Sequence, residues 1–210
     1  MAIRVLPRRR SHRPTRALVV YCHPSPNSYV AALRDRVLVG LDAAGAETRL
    51  IDLYAEGFTP EFSASERAAH LDNGTDPAIS EHAESLQWCN TLILVYPTWW
   101  AGQPAMLKGW FDRVFVNGVA WELPAGANRL RPHLDNLRRI VAVTTHGSPK
   151  YINALEGEGG KRTLTRALRP MGHRCCRTSW LAIYNIDRSN DDARVRFLDR
   201  TEKAITALAR

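Results

Sequence analysis

Leu92-Ile93-Leu94-Val95-Tyr96-Pro97-Thr98-Trp99-Trp100-Ala101-Gly102-Gln103-Pro104-Ala105-Met106-Leu107-Lys108-Gly109-Trp110-Phe111-Asp112-Arg113-Val114-Phe115 is an apolar run, an aromatic loop and a second, differently spaced apolar run. The first five residues are rich in β-branched and aliphatic side chains and are closed by Pro97, which predicts a buried strand. Met106, Leu107, Trp110, Phe111 and Val114 recur at helical spacing, which predicts a helix over 103–115. Between the two, residues 97–104 place two indoles in a loop at the carboxyl end of the strand, where open α/β sheets bind ligands. Two adjacent large aromatics in a turn point to a pocket or an interface.

The same alternation runs outward in both directions. Residues 17–22 form a continuous apolar run, the signature of a parallel strand buried on both faces. A helix follows from Ser28, with Val30, Leu33, Val37 and Leu41 inward and Gly45 as its stop. Strands are predicted over 47–53, 137–145 and 173–184. Ser63-Ala64-Ser65-Glu66 reads as a capped short helix. Pro77 opens a helix to Asn90 with Ile79, Ala83, Leu86 and Cys89 on one side. Further helices are predicted over 159–171 and 191–208, and residues 117–132 read as a long loop. Strands alternating with helices imply a three-layer α/β fold. Its sheet has five parallel strands in the order 2-1-3-4-5, with helices on both faces.

The 210 residues are 45% hydrophobic and 24% charged, as in ordinary globular proteins, and contain no apolar run long enough to span a bilayer. Six of the eight units of formal net charge come from residues 1–16, where Arg4, Arg8, Arg9, Arg10, Arg13 and Arg16 occur without an acid. Without those six arginines, 23 basic residues face 21 acidic ones, or +2. Residues 1–16 are therefore expected to be a disordered basic leader and 17–210 the folded domain. A nucleic-acid role would rest on that leader alone and is not expected. Cys22, Cys89, Cys175 and Cys176 have no metal-binding spacing and read as reduced structural thiols in a cytoplasmic protein; no metal site is expected.

In the order 2-1-3-4-5 the loops after strands 1, 3 and 4 converge. The first offers His23, Ser25, Asn27 and Ser28 ahead of a helix amino terminus, a seat for phosphate. The loop has no G-x-G-x-x-G, and the chain has no G-x-x-x-x-G-K-[ST], which disfavours ordinary dinucleotide and triphosphate sites. The chemistry that fits is a flat aromatic ligand held edge-on by backbone amides and packed by rings, such as a flavin.

Residues 96–115, with His23-Pro24-Ser25-Pro26-Asn27-Ser28-Tyr29 and Thr144-Thr145-His146-Gly147-Ser148, resemble the flavodoxin-like NAD(P)H:quinone oxidoreductases over roughly residues 17–208. The resemblance implies a tightly bound flavin, FAD in most members with FMN as the alternative. It also implies NAD(P)H as co-substrate, a quinone as acceptor, and a homodimer whose site lies at the subunit interface. It places His23, Asn27, Ser28 and Tyr29 at the flavin phosphates, and Pro97, Thr98, Trp99 and Trp100 along one edge of the ring. Thr144, Thr145, His146 and Gly147 meet the pyrimidine edge, with Tyr151 as the active-site tyrosine at the O2 side.

Val30 replaces a usual asparagine, His146 replaces a common glycine, and no histidine follows Tyr151 at the family's distance. His146 is therefore the alternative proton source. One site used in turn by nicotinamide and quinone implies a two-electron, ping-pong cycle. A rival function on the same fold is a flavin- and nucleotide-binding regulatory subunit of a potassium-efflux transporter. Trp121 is expected either to cover a partner's flavin or to pack in the core, and Lys108, Asp112 and Arg113 to lie on a solvated face or in a dimer salt bridge.

Overall fold

The computed structural model describes residues 14–70 and 76–210; most of the expected leader lies outside them. The elements run β1 (Arg16–Tyr21), α1 (Tyr29–Asp42), β2 (Glu47–Asp52), α2 (Ala64–Ala68), α3 (Ser80–Trp88), β3 (Thr91–Pro97), α4 (Ala105–Val114), β4 (Trp121–Glu122) and β5 (Arg131–Pro132). They continue with β6 (Arg139–Thr145), α5 (Lys150–Leu155), α6 (Gly159–Arg162), β7 (Arg177–Ile183) and α7 (Asp191–Ala209). Five strands form one parallel sheet in the order β2-β1-β3-β6-β7, which is the predicted 2-1-3-4-5.

Alternation along each strand divides the core into two faces. Leu18, Val20, Leu92, Leu94, Tyr96, Ile140 and Ala142 pack towards α3, α4 and Leu164 and Leu168. Ala17, Val19, Tyr21, Ile93, Val95, Val141 and Val143 pack towards α1 and α7. Because both faces are covered, β1, β3 and β6 read in sequence as unbroken apolar runs. Gly40 lets α1 and α7 approach closely, since a Cβ there would meet the Glu202 carbonyl at 2.8 Å. Among the described residues, no helix is long and apolar enough to cross a membrane.

The local stop and start signals act as their chemistry dictates. The Ser28 hydroxyl caps α1 by accepting from Ala31 N–H at 3.1 Å. Ser63 and Glu66 form a reciprocal capping box on α2. Pro77 opens a 3₁₀ turn, Pro77–Ile79, that leads into α3.

Several expected elements differ. The long loop over 117–132 contains a short antiparallel ribbon, β4 with β5. Trp121 is core, with Nε1 donating to the Phe115 carbonyl at 2.8 Å. The helix expected over 159–171 is α6, then a π-helical stretch Thr163–Leu168, then a 3₁₀ turn Arg169–Met171 containing Pro170. Strand β7 begins at Arg177, so Cys175 is exposed in the preceding turn while Cys176 packs inward.

Arg113 lies on no solvated face. Its side chain is 7% exposed and bonds Glu66 Oε1 at 2.6 Å, the Thr59 carbonyl at 2.7 Å and Asp76 Oδ2 at 3.1 Å. Lys108 and Asp112 pair with each other on the exposed side of α4.

Candidate functional site

Because β1, β3 and β6 are sheet neighbours, their carboxyl ends at Tyr21, Pro97 and Thr145 lie side by side. The ladder continues one step into each loop. Cys22 N–H donates to the Val95 carbonyl at 3.0 Å, Thr98 N–H to Thr145 at 2.8 Å, and His146 N–H to Ile183 at 2.8 Å. His23 stands 6.4 Å from Trp99 between ring centroids, which joins the first loop to the second. A cavity of about 540 Å³ opens between the second loop (Thr98, Trp99, Trp100) and the third (His146, Gly147, Ser148), with Asn153 and Glu156 of the chain around α5 at its side.

The aromatic loop is a tight reversal. Trp99 and Gly102 exchange backbone hydrogen bonds at 3.1 Å, and the two central residues, Trp100 and Ala101, have φ of 49° and 58°. Both are left-handed without being glycine, the pattern of a type I′ turn. Such residues cost about 1–2 kcal/mol each. The turn throws the Trp100 indole fully into solvent and leaves Trp99 43% exposed at the cavity rim.

A hydrogen-bonded chain runs along the cavity floor. Asn153 Nδ2 donates to the Ser148 and Pro149 carbonyls at 3.2 and 2.9 Å, so its Oδ1 is the atom facing His146 Nδ1 at 2.6 Å. That contact assigns the proton to Nδ1 and leaves Nε2 to accept from Thr98 Oγ1 at 3.4 Å. Thr98 Oγ1 in turn lies 2.9 Å from Thr144 Oγ1. The imidazole is buried and stacks on Tyr184, with centroids 4.5 Å apart. Burial lowers its pKa below 6.5 against the opposing pull of Asn153, Glu158 and Glu156, so the ring is neutral at pH 7.

These residues fit a flavin on two counts. The amino terminus of α1 has no acid in its first turn, and the Ser28 hydroxyl can still donate while it accepts from Ala31. The backbone N–H groups of Trp100, Ala101, Gly147 and Ser148 have no acceptor among the described residues.

The structure thus brings together His23, Ser28, Pro97, Thr98, Trp99, Trp100, Thr144, Thr145, His146 and Gly147 at one edge of the sheet. Asn27 is exposed in the first loop. The Tyr29 hydroxyl is turned away and donates to the Arg194 carbonyl at 2.8 Å. Tyr151 is 66% exposed on α5 and outside the lining of the cavity. Asn153, Glu156 and Tyr184 were not foreseen. Lys150-Tyr151-Ile152-Asn153-Ala154-Leu155 after Pro149 carries a weak helix signal, and nothing local marks its fourth residue as the partner of His146.

The chain is 25% identical over 210 residues to NAD(P)H dehydrogenase [quinone] 1 of Rattus norvegicus, covering 90% of this chain and 76% of that one. The crystal structure of Smu.1420 from Streptococcus mutans UA159 superposes with a TM-score of 0.79 at 27% identity, covering 92% of this chain and all of that one (100%). An NAD(P)H:quinone oxidoreductase from Methanothermobacter marburgensis shares the fold, with a TM-score of 0.80 at 22% identity over 93% of this chain and 100% of that one. The resemblance to NAD(P)H:quinone oxidoreductases seen in the sequence is borne out. A match to the family described by its flavodoxin-like fold runs over residues 15–207, from the residue before β1, through every loop of the cavity, into the last turn of α7, and on that ground the chain belongs to this family.

Proposed function

We propose that this chain is a flavin-dependent NAD(P)H oxidoreductase that passes two electrons to a quinone and works as a homodimer. The observation that carries the reading is the open cavity at the carboxyl edge of the sheet, between the loops after β3 and β6, with His23 of the loop after β1 beside Trp99 at its rim. Its relationship to an NAD(P)H dehydrogenase acting on quinone supports the choice of substrates. A flavin, FAD with FMN as the alternative, supplies the capacity to accept and return a hydride.

The protein supplies binding and orientation. The amino terminus of α1 and the Ser28 hydroxyl hold phosphate. The backbone of residues 97–100 lies along one edge of the ring. The unpaired N–H groups of Gly147 and Ser148 stabilise negative charge at the pyrimidine edge, as oxyanion-hole donors do. Neutral His146 accepts the Thr98 hydroxyl proton at Nε2 and fixes that hydroxyl; it is a positioning residue here, and no longer the proton source suggested by its type. Tyr151 stands on the same helix as Asn153, with its hydroxyl bonded to no described residue, and is assigned to the O2 side. Trp99 at the rim shields from water a cavity that NAD(P)H and quinone occupy in turn, which gives ping-pong kinetics. The fully exposed Trp100 indole supports a second copy of the chain packing over the rim.

The test is reconstitution with FAD and with FMN, removal of free flavin, mass spectrometry of what stays bound, and initial rates with NADH or NADPH and a benzoquinone. Parallel double-reciprocal lines are expected. A colourless protein with no NAD(P)H-dependent quinone reduction overturns the reading, and intersecting lines overturn its ping-pong part.

A further inference from the structure

The opposite, amino-terminal edge of the sheet carries a second cavity, of about 570 Å³, lined by Arg16, Trp88, Asn90, Arg138, Arg139 and Arg210 among others. Six residue steps of β6 separate Arg139 from Thr145, about 20 Å, so this cavity is remote from the site above. Arg139 and Arg177 open adjacent parallel strands and are paired in register. Like charges placed opposite each other in a sheet are destabilising. Neither side chain has an ion pair or a hydrogen bond among the described residues. Burial, with Arg177 adding to it, holds the Arg139 guanidinium below its ordinary pKa.

The surrounding groups do not neutralise this charge. Glu47 is the acidic side chain at the cavity, and it forms no ion pair. The side chain of Asn90 is already committed to Arg16 N–H and the Pro14 carbonyl, so it forms wall and not binding surface. Trp88 is packed by Arg49 at 4.4 Å and Arg16 at 5.8 Å from its ring centroid, which leaves no open ring face for stacking. What remains is the unpaired Arg139 guanidinium in the cavity wall, with Arg138, bonded at 3.4 Å to His173 Nδ1, beside it and the unpaired Arg177 next to it in register; such planar donors match phosphate oxygens. We propose that this cavity is a binding site for a small phosphorylated anion, held by Arg139, with Arg16 and Arg138 lining the cavity and Arg177 outside the lining but adjacent to Arg139 in the sheet.

The test is calorimetric titration of the purified full chain with pyrophosphate, with inorganic phosphate, and with a mononucleotide, in about 0.15 M salt to screen weak surface attraction. Arg139→Gln and Arg177→Gln are compared with Arg196→Gln on the outer face of α7. Saturable binding to the unaltered chain is expected, weakened about tenfold or more by Arg139→Gln or Arg177→Gln and unchanged by the control. Tighter binding of the mononucleotide than of pyrophosphate identifies a phosphate ester as the ligand; the reverse order identifies the free anion. Arg177→Gln relieves a like-charge contact and is expected to fold at least as well as the parent chain, so it answers the question even if Arg139→Gln is unstable. Absence of binding, equal loss in the α7 control, or displacement of pyrophosphate by a short DNA duplex in an Arg139-independent way would overturn the proposal.

Discussion

Replacing Arg113 by methionine keeps most of the volume under α4 and removes the charge. Three bonds go with it: to Glu66 at 2.6 Å, to the Thr59 carbonyl at 2.7 Å and to Asp76 at 3.1 Å. The contact of the guanidinium with the Phe58 ring, 5.4 Å from its centroid, goes too. The Glu66 side chain is 12% exposed, so its carboxylate is left nearly buried with only its capping-box partner, Ser63. Breaking a buried pair from one side costs about 3–5 kcal/mol, chiefly because the other charge is stranded. For a chain of this size that is a fall in midpoint of about 12 °C. Adding Glu66→Gln removes the stranded charge, and the double variant is expected to be about 1–2 kcal/mol more stable than Arg113→Met alone.

The pH profile follows from the same network. Burial alone would raise the Glu66 pKa, but the Ser63 N–H, the Arg113 guanidinium and the Ser63 hydroxyl hold it below 4.5. A depressed carboxyl adds stability above about pH 4.5 that disappears as pH falls through the folded value. That acid loss is expected to shrink in Arg113→Met. Urea unfolding followed by circular dichroism, across pH 3–7, measures all of these. A cost under about 1 kcal/mol for Arg113→Met, or a double variant whose cost equals the sum of the singles, would refute the network as described.

The other two predictions concern the site. His146 has a folded pKa below 6.5, so unfolding takes up a proton as pH drops under that value. Stability is complete above about pH 6.5 and is lost below it, with a slope of up to ~1.4 kcal/mol per pH unit until the folded value is reached. His146→Gln should remove that component, and urea midpoints with the same pH slope in both chains would contradict it. Ala101→Gly relieves a left-handed alanine with φ of 58° and should raise stability by about 0.5–1 kcal/mol, the gain being reduced by greater freedom of the unfolded chain. A denaturation midpoint at or below that of the parent would mean that the turn is not strained at 101.

The five strands, their order and the three convergent loops could be read from residues 17–208 because their signals are local. A strand buried on both faces is a continuous apolar run, a cap is a serine beside its helix, and parallel pairing leaves only a few topologies. Ser28, Thr98, Thr144 and His146 could be placed at the carboxyl edge of the sheet for the same reason: each lies directly at the end of a strand or the start of a helix. What the sequence left open depends on partners far along the chain. Arg113 looks like one more charge on a helix until folding sets it against Glu66, 47 positions away. His146 looks like an acid–base group until Asn153 and Tyr184 bury it and fix its tautomer. Side-chain type limits what a residue can do, and local pattern places it on an element. Desolvation and hydrogen-bond geometry, which choose among those roles, exist only once distant segments have packed together.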